Sequence, residues 1–471
     1  MPCLTILSAE EVEAIHDATL RVLSEVGVVL TQPAARELLA DAGAVLNGDR
    51  VRLPAELVQA CIGRCPSQVS IRGRDGKTMT LGDGTLHWHN LGGAATVYDA
   101  GAGRCRPATL QDVVDSTRLL DALDGVTNIT PFFTPQDVPG PLMALAMYRH
   151  ALPHTTKPLQ GPGTQTAVEV RYAARMAEVV GPAAEVISLG ISPISPLTFP
   201  DDVVEAMVET ARLGIPLGPL PCPTAGATAP LSLAGALAQQ NAEVLASVVL
   251  AQLVRPGLPI IYCGRLAAME PRTGMSVWGG VELGLVSAGT VQVSHRYGLP
   301  VNVYGLSTNS NTLDLQSGYE RALNAIVPAL AGADELSGIG ELAAGVTGSY
   351  AQMVIDDEIA ASVRRVRRGF GADEDALAVE VIARVMDGSR NFLDQRHTVR
   401  YLRAGEVLLT RLAERRAWEE WQRGGQETMA GRAEAEARRL LEEHEVPPLE
   451  EGQERELDEI MRAAERELVT D

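Results

Sequence analysis

From about residue 128 the chain repeats an architecture rather than a set of letters: a short apolar run, a Gly/Pro-rich turn, then a longer amphipathic segment. The runs fall at 128–133, 158–161, 186–191, 215–220, 259–263, 300–304 and 336–340. Helix candidates follow them at 141–150, 165–180, 201–213, 231–254, 281–297, 319–331 and 356–368. Continuous apolar runs alternating with helices are what a parallel sheet covered on both faces requires. The expected fold is α/β, and a TIM (β/α)8 barrel is the most economical way to finish the sheet, with 86–91 as the eighth strand. An open doubly wound sheet is the alternative, but no G-x-G-x-x-G follows the first run.

Before this repeat, Ser8 and Glu11 stand in capping-box spacing ahead of Val12, Ile15, Leu23 and Val26, and Gly27 offers a stop. A second short helix fits 33–42, and 50–107 reads as short β-prone runs, such as 68–72, broken by Gly and Pro. After 397 the composition shifts to Arg, Glu, Leu and Ala, with helical periodicity through Leu408, Leu412, Trp418, Trp421, Leu440 and Leu441. The expected division is an N-terminal helical/β flanking or cap region (1–110), the barrel core (111–396) and a helical C-terminal tail (397–471). That tail packs on the barrel or on a second subunit, and its acidic run at 450–459 reads as a solvated face.

With 46% hydrophobic residues in 471, the chain can bury a large core. The first ten residues lack the basic start and apolar run of a secretory signal, and no apolar stretch reads as long and uninterrupted enough to span a bilayer. A soluble, cytoplasmic protein without membrane contact is expected. Six cysteines, at 3, 61, 65, 105, 222 and 263, form no C-x-x-C pair and read as reduced thiols. Forty basic against sixty acidic residues give a formal charge of −20, which repels nucleic acid and permits a small cationic ligand.

His87-Trp88-His89 invites a metal reading, because alternation along a strand puts both imidazoles on one face. A metal-dependent barrel hydrolase would need further ligands at strand ends. His150 and His154 precede the second run, and His295 sits late in a helix, so the remaining candidates are poorly placed. Substrate contact and a purely structural role stay open beside the metal.

Five segments resemble the trimethylamine methyltransferase (MttB-like) family, and together they run over nearly the whole chain. They lie at 4–27, 98–112 with its Thr109-Leu110-x-Asp112 turn, 223–243, 314–320 and 397–421. The most distinctive is Ala225-Gly226-Ala227-Thr228-Ala229-Pro230, leading into Leu233-Ala234-Gly235 and Asn241-Ala242-Glu243; Asp314-Leu315-Gln316-Ser317-Gly318-Tyr319-Glu320 is next. The resemblance implies a (β/α)8 barrel that offers a methyl group of a methylated amine to the Co(I) form of a separate corrinoid protein. The founding branch carries pyrrolysine and uses trimethylamine, whereas all 471 positions here are ordinary amino acids. That places the chain on the branch acting on quaternary amines such as glycine betaine, whose nitrogen already carries the charge that makes it a leaving group.

Such a transfer asks the enzyme to strip water from the cation, orient it and leave one methyl facing cobalt. It needs no proton transfer at the leaving nitrogen, so no catalytic acid or base is assigned, no metal site is expected, and the corrinoid (cobalamin) stays on its partner rather than bound tightly here. Side chains just after each run are the ones to weigh. Trp88, Phe133, Trp278 and Tyr304 are candidates for cation contact, against ordinary packing or a lid. His87 and His89 are candidates for substrate contact. The polar loop after the sixth run supplies Asn309 and Asn311, with Gln316 beyond it, although such residues also serve as turn and cap formers. Glu341 would balance the ammonium charge or start a helix. Arg265 would hold a substrate carboxylate or form a surface salt bridge. A non-catalytic quaternary-amine binder is the third reading, and homo-oligomerisation through the tail fits all three.

Overall fold

Buried on every residue, the strand His87–Asn90 pairs in parallel with Glu335–Ile339, which pairs with Val301–Tyr304, which in turn pairs with Tyr262–Gly264. The computed structural model describes residues 4–469, so Cys3 lies outside the described residues; the other five cysteines are free thiols. Beyond Tyr262–Gly264, Ile260 bridges Leu217 of the strand Leu217–Pro219, which pairs in parallel with Leu189–Ile191. Gly161 N donates to Ser188 O at 2.9 Å, Leu159 bridges Ile129 in parallel, and Thr127 N donates to Trp88 O at 2.9 Å. The architecture is thus mixed α/β with parallel sheets; six of the eight expected runs, 86–91 among them, supply strands to these sheets, while 128–133 and 158–161 contribute only isolated bridges and single backbone hydrogen bonds.

Helices follow these segments at Met143–Ala151, Ala167–Glu178, Asp201–Leu213, Leu233–Val254, Val281–Arg296, Leu315–Ala331 and Tyr350–Arg368. An eighth, Leu110–Ala122, stands where only a turn is expected: Thr109 and Asp112 form a full capping box, and Val113, Leu119 and Leu120 bury one face. Leu315–Ala331 begins ahead of its expected start because Asp314 caps it, accepting from Ser317 N at 3.0 Å.

The helix Ala9–Arg21 starts at the Ser8/Glu11 capping box and lies against Leu233–Val254 and Val281–Arg296. The turn that follows ends at Gly27, where φ is 76° and a Cβ would stand 2.6 Å from Val51 O, so only glycine fits. The hairpin of Val69–Arg72 and Thr78–Leu81 sits by the N-terminal ends of the parallel strands. Its Val69, Ile71, Met79 and Leu81 form one buried cluster with Ile261 and Cys263, and Thr80 O meets His87 Nε2 at 3.1 Å.

One helix, the 22-residue Leu233–Val254, is long and apolar enough to cross a membrane by length and composition, contrary to the expectation that no stretch is. It is an inner helix instead: Gln239, Gln240, Asn241, Glu243 and Gln252 are buried on it and hydrogen-bonded.

The tail packs on this chain's own helices. Met429–Glu443 lies against Tyr350–Arg368 and Leu110–Ala122, and Glu451–Leu468 lies against Met143–Ala151 and Ala167–Glu178. The 450–459 run is not wholly solvated, because Arg149 donates to Glu454 at 2.7 Å and to Asp458 at 2.8 Å.

Candidate active site

A cavity of about 330 Å³ opens among the C-terminal ends of the parallel strands. Leu91, Met143, Met147, Leu220 and Ile261 give it an apolar wall; Gln160 and Gln165 add amides. Of the side chains that can carry positive charge, Arg265 and His89 line it, and no aspartate or glutamate does so among the described residues. Its floor is the hairpin cluster, since Ile261 and Cys263 belong to both.

Arg265, only 4% exposed, donates through Nη1 to Gly264 O at 3.0 Å and to Asn302 O at 3.1 Å, and through Nη2 to Asn302 Oδ1. With Oδ1 so engaged, Asn302 Nδ2 faces two acceptors, His89 Nε2 at 2.7 Å and Glu335 Oε2. His89 therefore carries its proton on Nδ1, which has no partner among the described residues. Burial lowers the His89 pKa, which keeps the ring neutral. Glu335 also accepts from Asn128 Nδ2 and is fully buried. Among the described residues no carboxylate pairs directly with Arg265, so a buried cation at the cavity wall is balanced through the amide of Asn302.

Three of the eleven residues singled out by sequence, His89, Arg265 and Tyr304, line this cavity. Tyr304 receives the Arg265 guanidinium over its ring, 4.5 Å from the centroid, and Trp278 packs edge-to-face on it at 5.2 Å. Its π-face is thus already in use by the protein's own cation. Trp88 and Phe133 do not reach the cavity: both are fully buried in the main core, Phe133 against Phe132 and Tyr350. His87 belongs to the floor side, with Thr80 O at 3.1 Å and Asp83 at 4.0 Å. His87 and His89 thus have separate partners, and no group of three or more His, Cys, Asp or Glu converges among the described residues.

The polar loop is a scaffold. Asn309 accepts from Trp278 N and Gly279 N at 2.7 Å each, and Gln316 donates to Glu320 at 2.9 Å. Asn311 is exposed. Glu341 is buried, accepting from Ser307 Oγ and from Thr308 N at 3.1 Å, and burial raises its pKa to about 7. Sequence reasoning missed Asn302, Glu335 and Asn128, which connect His89 and Arg265.

The family model for trimethylamine methyltransferase (MTTB) matches residues 1–468. The chain belongs to the trimethylamine methyltransferase family. Trimethylamine methyltransferase MttB of Desulfitobacterium hafniense (strain DSM 10664 / DCB-2) is 31% identical over 453 residues, 94% of this chain and 90% of that protein. The glycine betaine methyltransferase of Desulfitobacterium hafniense (strain Y51) is 31% identical over 461 residues, 95% of this chain and 94% of that protein. Among solved structures, the monomethylamine methyltransferase MtmB of Methanosarcina barkeri aligns with a TM-score of 0.55 and 13% identity, over 98% of this chain and 88% of that one, a likeness of fold alone.

In this member of the family, the segments that carry the resemblance hold the frame of the site. Asn241 Nδ2 donates to Thr19 Oγ1 at 2.9 Å and to Tyr297 OH at 2.7 Å, while its Oδ1 accepts from Tyr262 OH at 3.0 Å, tying the N-terminal helix to the strand that carries Gly264. Glu243 accepts from Ser195 Oγ at 2.7 Å and Leu197 N at 2.8 Å, and burial raises its pKa. Glu320 receives Thr308 Oγ1 at 2.5 Å and Asn309 N at 3.0 Å.

Proposed function

We propose that the chain is a (β/α)8-barrel methyltransferase that moves a methyl group from a quaternary amine bearing a carboxylate, glycine betaine or a close analogue, to the Co(I) corrinoid of a separate protein. The circuit of parallel strands from His87–Asn90 round to Glu335–Ile339 supports the barrel. Family membership and relatives named as methyltransferases support the reaction class. The observation that carries the substrate is Arg265, a buried cation at the cavity wall with no carboxylate partner among the described residues.

A zwitterionic substrate supplies the missing anion. Its carboxylate pairs with the guanidinium, and its trimethylammonium lies against the apolar wall of Met143, Met147 and Leu220, where water is excluded. Tyr304 and Asn302 fix the guanidinium from the ring face and the amide side, so little motion is left to freeze when substrate arrives. A neutral His89 adds no second cation beside the ammonium. The corrinoid partner supplies a Co(I) nucleophile for in-line displacement, and the leaving amine departs neutral, without a proton from this chain.

The test is transfer itself: purified protein with a corrinoid protein reduced to Co(I), offered glycine betaine, carnitine, choline and trimethylamine, with methyl-Co(III) followed by absorbance. Formation with a carboxylate-bearing quaternary amine and none with choline or trimethylamine is expected. Silence across the panel with several corrinoid proteins sinks the transferase, and equal rates with choline sink the role of Arg265.

A further inference from the structure

Gln160 and Ser188 line the cavity from neighbouring strand segments, joined by the bond from Gly161 N to Ser188 O at 2.9 Å. Each holds a polar atom that the protein itself leaves unused. Gln160 Oε1 accepts from Thr130 Oγ1 at 3.1 Å, while its Nε2 has no partner among the described residues. Ser188 is 3% exposed, yet its Oγ has none either. Polar groups inside a native protein are paired, so two unpaired ones side by side in a cavity call for a ligand that pairs them.

Both are held from behind. Asn90, fully buried on the strand His87–Asn90, accepts from Thr130 N at 3.0 Å and donates to Thr130 O at 2.6 Å. Thr130 in turn fixes the Gln160 amide by its oxygen, so the NH2 is what remains for a ligand.

Their place along the circuit of strands matters. From Arg265 the wall passes through Leu220, Ser188 and Gln160 before it reaches Met143 and Met147. A ligand with its carboxylate on the guanidinium and its ammonium against the methionines crosses the serine and the amide on the way. The N–H edge of the amide is positive and repels a trimethylammonium; an acceptor atom suits it. At about 330 Å³ the cavity also reaches the range of sites for drug-sized ligands, more room than the smallest betaine fills.

We propose, resting on the reading of the site as one for a carboxylate-bearing quaternary amine, that the substrate also carries a hydroxyl between its two charges. The hydroxyl oxygen accepts from Gln160 Nε2 and its proton goes to Ser188 Oγ, which pairs both groups. The chemical class is a hydroxylated betaine with a carbon chain longer than that of glycine betaine.

Isothermal titration calorimetry of the enzyme alone, with no corrinoid protein present, tests this with the two enantiomers of carnitine, with the deoxy analogue γ-butyrobetaine and with glycine betaine. One enantiomer is expected to bind about 10- to 100-fold more tightly than γ-butyrobetaine and than its mirror image, which is what leaving a buried donor unpaired costs. In Gln160→Met and in Ser188→Ala both ratios are expected to fall toward one, with far-UV circular dichroism that of the native protein. Equal affinities for carnitine and γ-butyrobetaine, tighter binding of glycine betaine than of either enantiomer, or ratios that survive both substitutions overturn the hydroxyl subsite and leave the proposed function standing. Binding of none of these amines defeats the proposed function, and the subsite with it.

Discussion

Arg265 and Glu335 never touch; each bonds the side-chain amide of Asn302, one through its oxygen and the other through its nitrogen. Opposite charges are thus held apart by a neutral spacer, which leaves the guanidinium partly unspent and facing the cavity. Arg265→Met is expected to raise KM for a carboxylate-bearing quaternary amine about 10²-fold or more, as loss of a buried charge pair does, with a smaller fall in kcat. Steady-state transfer kinetics check this, and a KM within a factor of three of the native value rules the contact out.

Removing the spacer has a different signature. Asn302→Ala leaves the buried Glu335 short of one donor and the buried Arg265 short of one acceptor, a loss of roughly 2–4 kcal/mol. Urea unfolding reads it directly. A variant as stable as the native protein would show that solvent reaches the network.

Glu341 makes stability depend on pH in the sense opposite to an ordinary ion pair. Its pKa rises from 4.5 to about 7 on folding, so the stabilisation linked to its bound proton is whole below 4.5 and is lost as pH rises through 7, on the order of 3 kcal/mol. Glu341→Gln keeps an oxygen for Ser307 and Thr308 and has no proton to lose. Relative to the native protein, the variant is expected to gain stability between pH 5 and pH 8 in denaturant titrations; an identical difference at both pH values contradicts the burial argument.

Asn241→Ala strips three partners, the buried Thr19 and Tyr262 and the half-buried Tyr297, at roughly 2–3 kcal/mol. Because Thr19 lies on Ala9–Arg21, limited proteolysis is expected to cut near that helix sooner than in the native chain. An unchanged cleavage pattern would mean that the helix is held by packing alone.

Most of the strands were legible because they are short apolar runs bounded by Gly or Pro, His87–Asn90 being the polar exception, and the helices because their apolar faces recur at helical spacing. Leu110–Ala122 carried its own signal in Thr109 and Asp112, spaced as a capping box that reads equally as a turn. The site was less legible for a geometric reason. Asn302 and Glu335 lie within strands, where side chains alternate between the interior and the helix layer, whereas the search favoured residues just past strand ends. The same alternation sets Trp88 opposite to His89, which explains why an aromatic beside the site packs in the core. Phe133 and Asn309 show that a position near the mouth does not decide what a side chain faces; neighbours distant in sequence, Tyr350 and Trp278, do.

The hairpin beneath the cavity, with Val69, Ile71, Met79 and Leu81 pressed against Ile261 and Cys263, stops the site at the end away from the mouth. With that end stopped, entry and exit fall to the mouth, and under the proposed reaction an acceptor protein seated over the mouth locks in whatever is already inside. Under the proposed reaction the amine must load first and the demethylated product must wait for the acceptor to depart, a compulsory order written into the stopper at the far end.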